Sequence, residues 1–115
     1  MKQLKSIHEV FEESIKIGLY QKLIVQLNKD FRYANIFFEA EETISPKELK
    51  LKSHETIFKL IQTNFSDYLN LLYIIDVSEN EIKQLDGSDT LILSEKVTFL
   101  ILKREWQKVW YKNMY

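Results

Sequence analysis

The chain has no cysteine, two glycines and one proline among its 115 residues. Without Cys there is no disulfide framework, no thiolate nucleophile and no Cys-ligated zinc or iron–sulfur site. The scarcity of Gly and Pro excludes collagen-like and Pro/Gly-rich disordered chains, and it leaves few tight turns for an all-β fold. An excess of one charge sign is also missing. Lys and Arg number 16 against 17 Asp and Glu, a formal net charge of −1, so no global charge points to nucleic acid or an anionic membrane. The longest apolar runs, Leu71 to Ile75 and Phe99 to Leu102, fall far short of the ~20 residues that a membrane helix needs. A secretory leader requires an unbroken apolar stretch after its basic start, and here Glu9, Glu12 and Glu13 interrupt it. These absences predict a cytoplasmic protein with no membrane association.

What is present is an ordinary globular balance, 45% hydrophobic and 29% charged. The length suits a single domain over residues 1–115, burying roughly two thirds of the surface of its unfolded chain. Apolar residues recur in steps of three or four through Leu4, Ile7, Phe11, Ile15, Leu19, Leu23, Leu27, Phe31 and Ala34, the period of a helix. Gly18 lies inside this series, where one helix tolerates it or the chain bends between two. The period is lost over residues 35–45, which read as a loop that tucks Phe37, Phe38 or both under the domain.

Ser45-Pro46-Lys47-Glu48 is a helix start, with a capping Ser, Pro at the first helical position and Glu three residues after the cap. The stripe Leu49, Ile57, Ile61, Phe65, Tyr68, Leu72, Ile75 follows. Two helices meeting near Asn64 fit it better than one of about 30 residues, given an average helix of about 11–12. Ser78 and Glu81 form a second capping box before a short helix to Leu85, which Asp86-Gly87-Ser88-Asp89 stops. The last helix starts at Asp89 or Ser94. Val97 to Leu102 alone has strand composition, but the helical spacing continues through Trp106, Val109 and Trp110 without a breaker. The pattern predicts an all-α fold, a single compact bundle of four to six helices with the C-terminal helix central. Leu72, Ile75, Val97, Leu100 and Ile101 are expected at the middle of the core.

Tyr73-Ile74-Ile75-Asp76-Val77-Ser78-Glu79 and Leu102-Lys103-Arg104-Glu105-Trp106-Gln107-Lys108-Val109-Trp110 resemble segments of small, uncharacterised bacterial all-helical proteins. The resemblance spans roughly Leu19 to Lys112. It implies a helical fold and brings no activity and no functional residue with it.

Catalytic signatures are sparse. A di-iron or di-manganese bundle needs Glu-x-x-His pairs, and the residues three before His8 and His54 are Lys5 and Leu51. His8 and Glu12 stand one turn apart, a lone pair that reads as surface chemistry. Gly18 and Gly87 are isolated, so no glycine loop cradles a phosphate. No nucleophile elbow surrounds a serine. The acid pairs Glu12-Glu13 and Glu41-Glu42 identify nothing in a Glu-rich chain. No cofactor is expected.

Asp76 and Arg104 each follow an apolar run, and charges beside buried segments find partners. Asp76 either caps the helix after it or accepts a bidentate pair from Arg104, an internal staple. The last helix is mixed in character. Lys103, Arg104, Lys108 and Lys112 interleave with Trp106, Trp110, Tyr111 and Tyr115. Arg104, Trp106, Lys108, Trp110 and Tyr111 therefore form the candidate interaction surface, since aromatics and Arg supply most interface energy. The expected function is a non-enzymatic interaction or adaptor protein that meets another protein or a second copy of itself. The alternative is a nucleic-acid-associated protein that uses this helix, with cations on phosphate and rings on bases. A helix-turn-helix reading of Ser78 to Glu105 is disfavoured because Asp86, Asp89 and Glu95 would repel phosphate.

Overall fold

Ser6 opens the first helix of the computed structural model, which describes residues 3–115. Its Oγ accepts from the Glu9 N–H at 3.1 Å and starts α1 (Ile7–Ile17). Gly18, at φ +80°, ends that helix in the left-handed region, and Leu19 N–H reaches back to Ser14 O at 2.8 Å. The chain therefore bends at Gly18, and α2 (Tyr20–Tyr33) begins at once. Ile15, a member of the expected stripe, turns outward, and Ser14 takes the buried position with its hydroxyl on Phe11 O.

The loop after α2 is tied back onto that helix. Phe38 stacks on Phe31 with ring centres 4.3 Å apart, whereas Phe37 is 85% exposed, so one of the two rings is tucked in. Asn28 both donates to and accepts from the Ala40 backbone, at 2.9 and 3.0 Å. Tyr20 donates its hydroxyl to Ile44 O at 2.7 Å, and burial pushes that phenol up to about 12.

Ser45 caps α3 (Pro46–Thr63) by accepting from Glu48 N–H, as the capping box requires. Asn64 ends α3 and caps α4 (Phe65–Ile75), its Oδ1 accepting from Asp67 N–H at 3.2 Å, so two helices meet there. Ser78 caps the single turn and a half of α5 (Glu79–Lys83), which ends short of Leu85. Asp89 then caps α6 (Thr90–Met114) by accepting from Ile92 N–H at 3.0 Å.

The bundle has six helices and no strand among the described residues; Val97 to Leu102 are helical. The long α6 packs against α1, α2, α3 and α4, and is the central element. Leu72, Ile75, Val97, Leu100 and Ile101 are all buried in one continuous hydrophobic core. Two hydroxyls of α6 that enter this core are satisfied along the helix: Ser94 donates to Leu91 O and Thr98 to Ser94 O, each at 2.7 Å. Phe65 departs from the expected core stripe and stands 53% exposed at the start of α4.

Candidate interaction surface

Asp76 ends α4 in the left-handed region, at φ 69°, with its N–H on Leu72 O. An L-residue is strained there, Asp less than most. Its carboxylate also lies at the negative end of the helix dipole, where an acid is unfavourable. Arg104 answers both carbonyl and carboxylate. Its Nε donates to Asp76 O at 3.0 Å and its Nη2 to Asp76 Oδ2 at 3.1 Å. One turn further along α6, Lys108 donates to Ile75 O at 3.3 Å. Two cations of α6, four residues apart, thus close the C-terminus of α4 and pin it to the central helix. Ser78, not Asp76, caps the helix that follows.

Lys108 sits at a second junction. Its ammonium meets Asp30 of α2, and lies 3.0 Å from Glu105 Oε1. Glu105 is wholly buried, and neither of its oxygens accepts a well-aligned hydrogen bond. A bare carboxylate there would be stranded. Burial, reinforced by the neighbouring Asp30 carboxylate, pushes Glu105 up to about 9, so at neutral pH it is the acid that donates to Asp30. Burial works to raise Asp30 as well, but hydrogen bonds from Glu105, Lys108 and Gln26 outweigh it and hold Asp30 below the usual carboxylate range. For Lys108, burial is opposed and exceeded by the two carboxyls, which hold the ammonium above its ordinary value. Two carboxyls sharing one proton carry a single negative charge, which the Lys108 ammonium balances, so the junction between α2 and α6 is neutral overall.

This arrangement divides the expected surface of α6. Trp106 is 0% exposed and lies inside the bundle, so it belongs to no exposed face. Arg104 and Lys108 are internal fasteners. Lys103 is 3.4 Å from Glu81 Oε1 and lies over the Phe99 ring. Of the four cations interleaved with the aromatics, three are held by carboxylates, and Lys112 has no such partner among the described residues. Trp110, Tyr111 and Tyr115 do form a ring cluster, in which Tyr111 and Tyr115 are exposed and stacked at 5.5 Å while Trp110 is partly buried against the core. Lys112 borders a different hollow, shared with Lys22 and Lys29 of α2. Cations and rings therefore do not alternate along one track, as single-stranded nucleic acid would require.

A further apolar surface lies on α4. α4 carries a single charged residue, Asp67, in 11, yet it is a surface helix. Its inner side buries Tyr68, Leu71, Leu72 and Ile75, while Phe65, Leu69 and Tyr73 point outward at 53%, 50% and 82% exposure. Their spacing of four makes one ridge. Beside it opens a groove of about 630 Å³, floored by Leu72 and Val77 and walled by Leu69, Tyr73 and Ile82, with Asp76, Glu79 and Lys83 on its border. Sequence reading assigned α4 to the core and passed over this ridge. The signal that reveals it is α4's composition, because Ser66, Asp67 and Asn70 are its only polar residues and fill too narrow an arc to cover the whole outward side.

Other constellations offer little chemistry. His54 Nε2 lies 2.7 Å from Ser94 Oγ. Ser94 is buried and gives its only proton to Leu91 O, so it accepts from His54 and is not free to attack a substrate. His8 and Glu12 pair at 3.2 Å in the open, one turn apart. No group of three metal-binding side chains occurs among the described residues, and none of their helices is long and apolar enough to cross a membrane. Compared with known proteins, the chain matches no family, no curated protein and no solved structure.

Proposed function

We propose that this chain is a non-enzymatic interaction module, an adaptor that binds another protein through the outward ridge of α4 and the groove beside α5. The observation that carries the reading is the bare ridge Phe65–Leu69–Tyr73 on a helix whose opposite side already fills the core. Exposed apolar residues are ordinary when scattered singly. Three in register along one helix, next to an apolar hollow, have the composition of an interface centre. The fastening of α4 by Arg104 and Lys108 supports it further, because a docking face held rigid loses little entropy on binding. The exposed rings of Tyr111 and Tyr115, backed by the partly buried Trp110, are a second patch. Nucleic acid is the weaker reading, because most of the cations it would use are already neutralised.

The test is site-specific photo-crosslinking in the native cell, with a photoreactive phenylalanine analogue replacing Leu69 or, in a separate strain, Tyr111. Adducts with another protein at position 69, mapped by mass spectrometry, are expected. Absence of a protein adduct at 69, or adducts at Tyr111 only, would overturn the assignment of α4 as the docking face.

A further inference from the structure

A hollow of about 490 Å³ opens between α2, the last turns of α6 and the loop that follows α2. Val25 and Val109 contribute apolar lining. Its charged residues are Lys22, Lys29 and Lys112 against Glu42 alone, three positive charges and one negative, so the hollow itself carries +2. None of these lysines meets a carboxylate among the described residues, and Glu42 pairs with none of them. Lys22 and Lys29 have neutral partners. Lys22 donates to Asn113 Oδ1 at 2.7 Å, which holds its ammonium between α2 and α6, and Lys29 lies over the Tyr33 ring. By contrast Lys103, Arg104 and Lys108 are all held by carboxylates. The helix dipoles account for only part of this charge. Lys112 is welcome in the last turn of α6, but Lys22 stands in the first turn of α2, where a cation is unfavourable and no acid or side-chain cap offsets it.

We propose that this hollow binds a small, elongated polyanion, a molecule that carries two or more phosphate groups. Lys22 and Lys29 are seven residues apart on one side of α2, about 10 Å along its axis, with Val25 between them. A ligand with a phosphate at each end meets both ammoniums, and Lys112 adds a third from α6. Each phosphate brings about two negative charges, and lysine meets it as a point charge. The volume is that of a small-molecule site. A nucleic acid strand would need rings on which to stack its bases, and none lines the hollow. An anionic membrane presents a broad face, whereas these ammoniums surround a recess that Glu42 shares.

The experiment is titration calorimetry of the full chain at low salt with inorganic triphosphate, a hexose bisphosphate and orthophosphate. One of the first two should bind at least ~10-fold more tightly than orthophosphate, and the tighter of them tells whether the ligand is inorganic or organic. Lys22→Gln with Lys112→Gln should weaken that binding by at least ~10-fold, while Glu42→Gln, which lifts the charge of the hollow from +2 to +3, should tighten it by about 3-fold. Lys47→Gln with Lys59→Gln removes the same charge from α3 and should change it by less than about 2-fold. All five positions are exposed, so the variants keep their fold, which circular dichroism verifies. No binding, equal affinity for orthophosphate, or an equal loss in the α3 variant would overturn the proposal, the last because net charge alone would then explain the attraction. Tighter binding of a single-stranded oligonucleotide or of phosphatidylserine vesicles through the same lysines would also overturn it, with a strand or a membrane as the occupant. The docking face on α4 stands or falls separately, because none of these residues lies on α4 or α5.

Discussion

Two helices of this bundle exchange the roles their compositions advertise. The second half of α6, from Lys103 to Lys112, is rich in charge and reads as a surface helix, yet it buries Glu105 and Trp106 and half-buries Lys108. α4 has one charged residue in 11 and reads as a core helix, yet it turns Phe65, Leu69 and Tyr73 to the outside. Composition alone cannot assign a helix to inside or outside, because burial is decided by partners. The charges of α6 go inside because Asp30, Asp76 and the last carbonyls of α4 are there to receive them. The apolar side chains of α4 stay outside because α2, α3 and α6 pack against its other side only.

The sharpest way to break this contrast is through the buried ring. Trp106→Ala should cost about 3–5 kcal/mol in urea denaturation, the range for deleting a large core aromatic. For a domain whose whole stability is about 5–15 kcal/mol, that is enough to approach unfolding. A loss under about 1 kcal/mol would mean that the Trp106 site collapses freely and that α6 is not the centre of the core.

The second test sharpens the charged side of the comparison. In the unfolded chain Glu105 ionises near its ordinary value of 4.5, whereas in the folded chain it keeps its proton up to about 9. Across that window the unfolded state binds fewer protons, so stability falls as pH rises, by at most about 1.4 kcal/mol per unit. Asp30 acts in the opposite sense at acid pH. Its folded value lies below the ordinary 3.8, so its contribution is present above that value and is lost as pH falls. Stability should therefore peak in mild acid. Glu105→Gln keeps the shape and a donor for Asp30 but cannot ionise. The slope between about pH 5 and pH 9 should flatten, with the variant at least as stable as the parent at about pH 8. An unchanged slope in chemical denaturation would mean that the folded state holds Glu105 ionised against Lys108.

How much of this was legible in the sequence follows from where the signals are local. Caps are local: Ser45 with Glu48 and Ser78 with Glu81 stand as read, and of the two starts open for the last helix, Asp89 and Ser94, the fold takes Asp89, because a cap depends on four consecutive residues and their backbone. The bend at Gly18 and the junction at Asn64 needed the fold to decide between two readings, since both alternatives bury a similar stripe. The site was less legible because it is made by contacts distant along the chain. Asp30 and Lys108 are 78 residues apart, and no spacing rule links them. Arg104 and Asp76 could be paired in advance because each followed an apolar run that had to be buried. Trp106 was placed on the surface by its basic neighbours, but on a helical wheel it shares the side of Leu102 and Val109, and that side faces the core.

The smallest effect tests the outside of α4. Leu69→Ser with Tyr73→Ser removes two apolar groups that are already 50% and 82% exposed, so little burial is lost. The folded chain also gains by showing less apolar surface to water, and the unfolded chain gains by the same amount where exposure is equal in both states. The two terms nearly cancel, and the net change in unfolding free energy should stay within about 0.5 kcal/mol per site, the range for surface substitutions away from special features. Set against the about 3–5 kcal/mol of Trp106→Ala, that is roughly a six- to tenfold smaller effect per site within one small bundle. A loss above about 2 kcal/mol for the double variant would show that the ridge is held by the bundle itself, as core side chains are. Groups that hold the fold cannot also be spare for a partner, so that outcome would remove α4 as a docking face on stability grounds alone. A near-zero change in stability leaves the ridge with no structural duty and concentrates its effect on binding, where the crosslink at position 69 reads it directly.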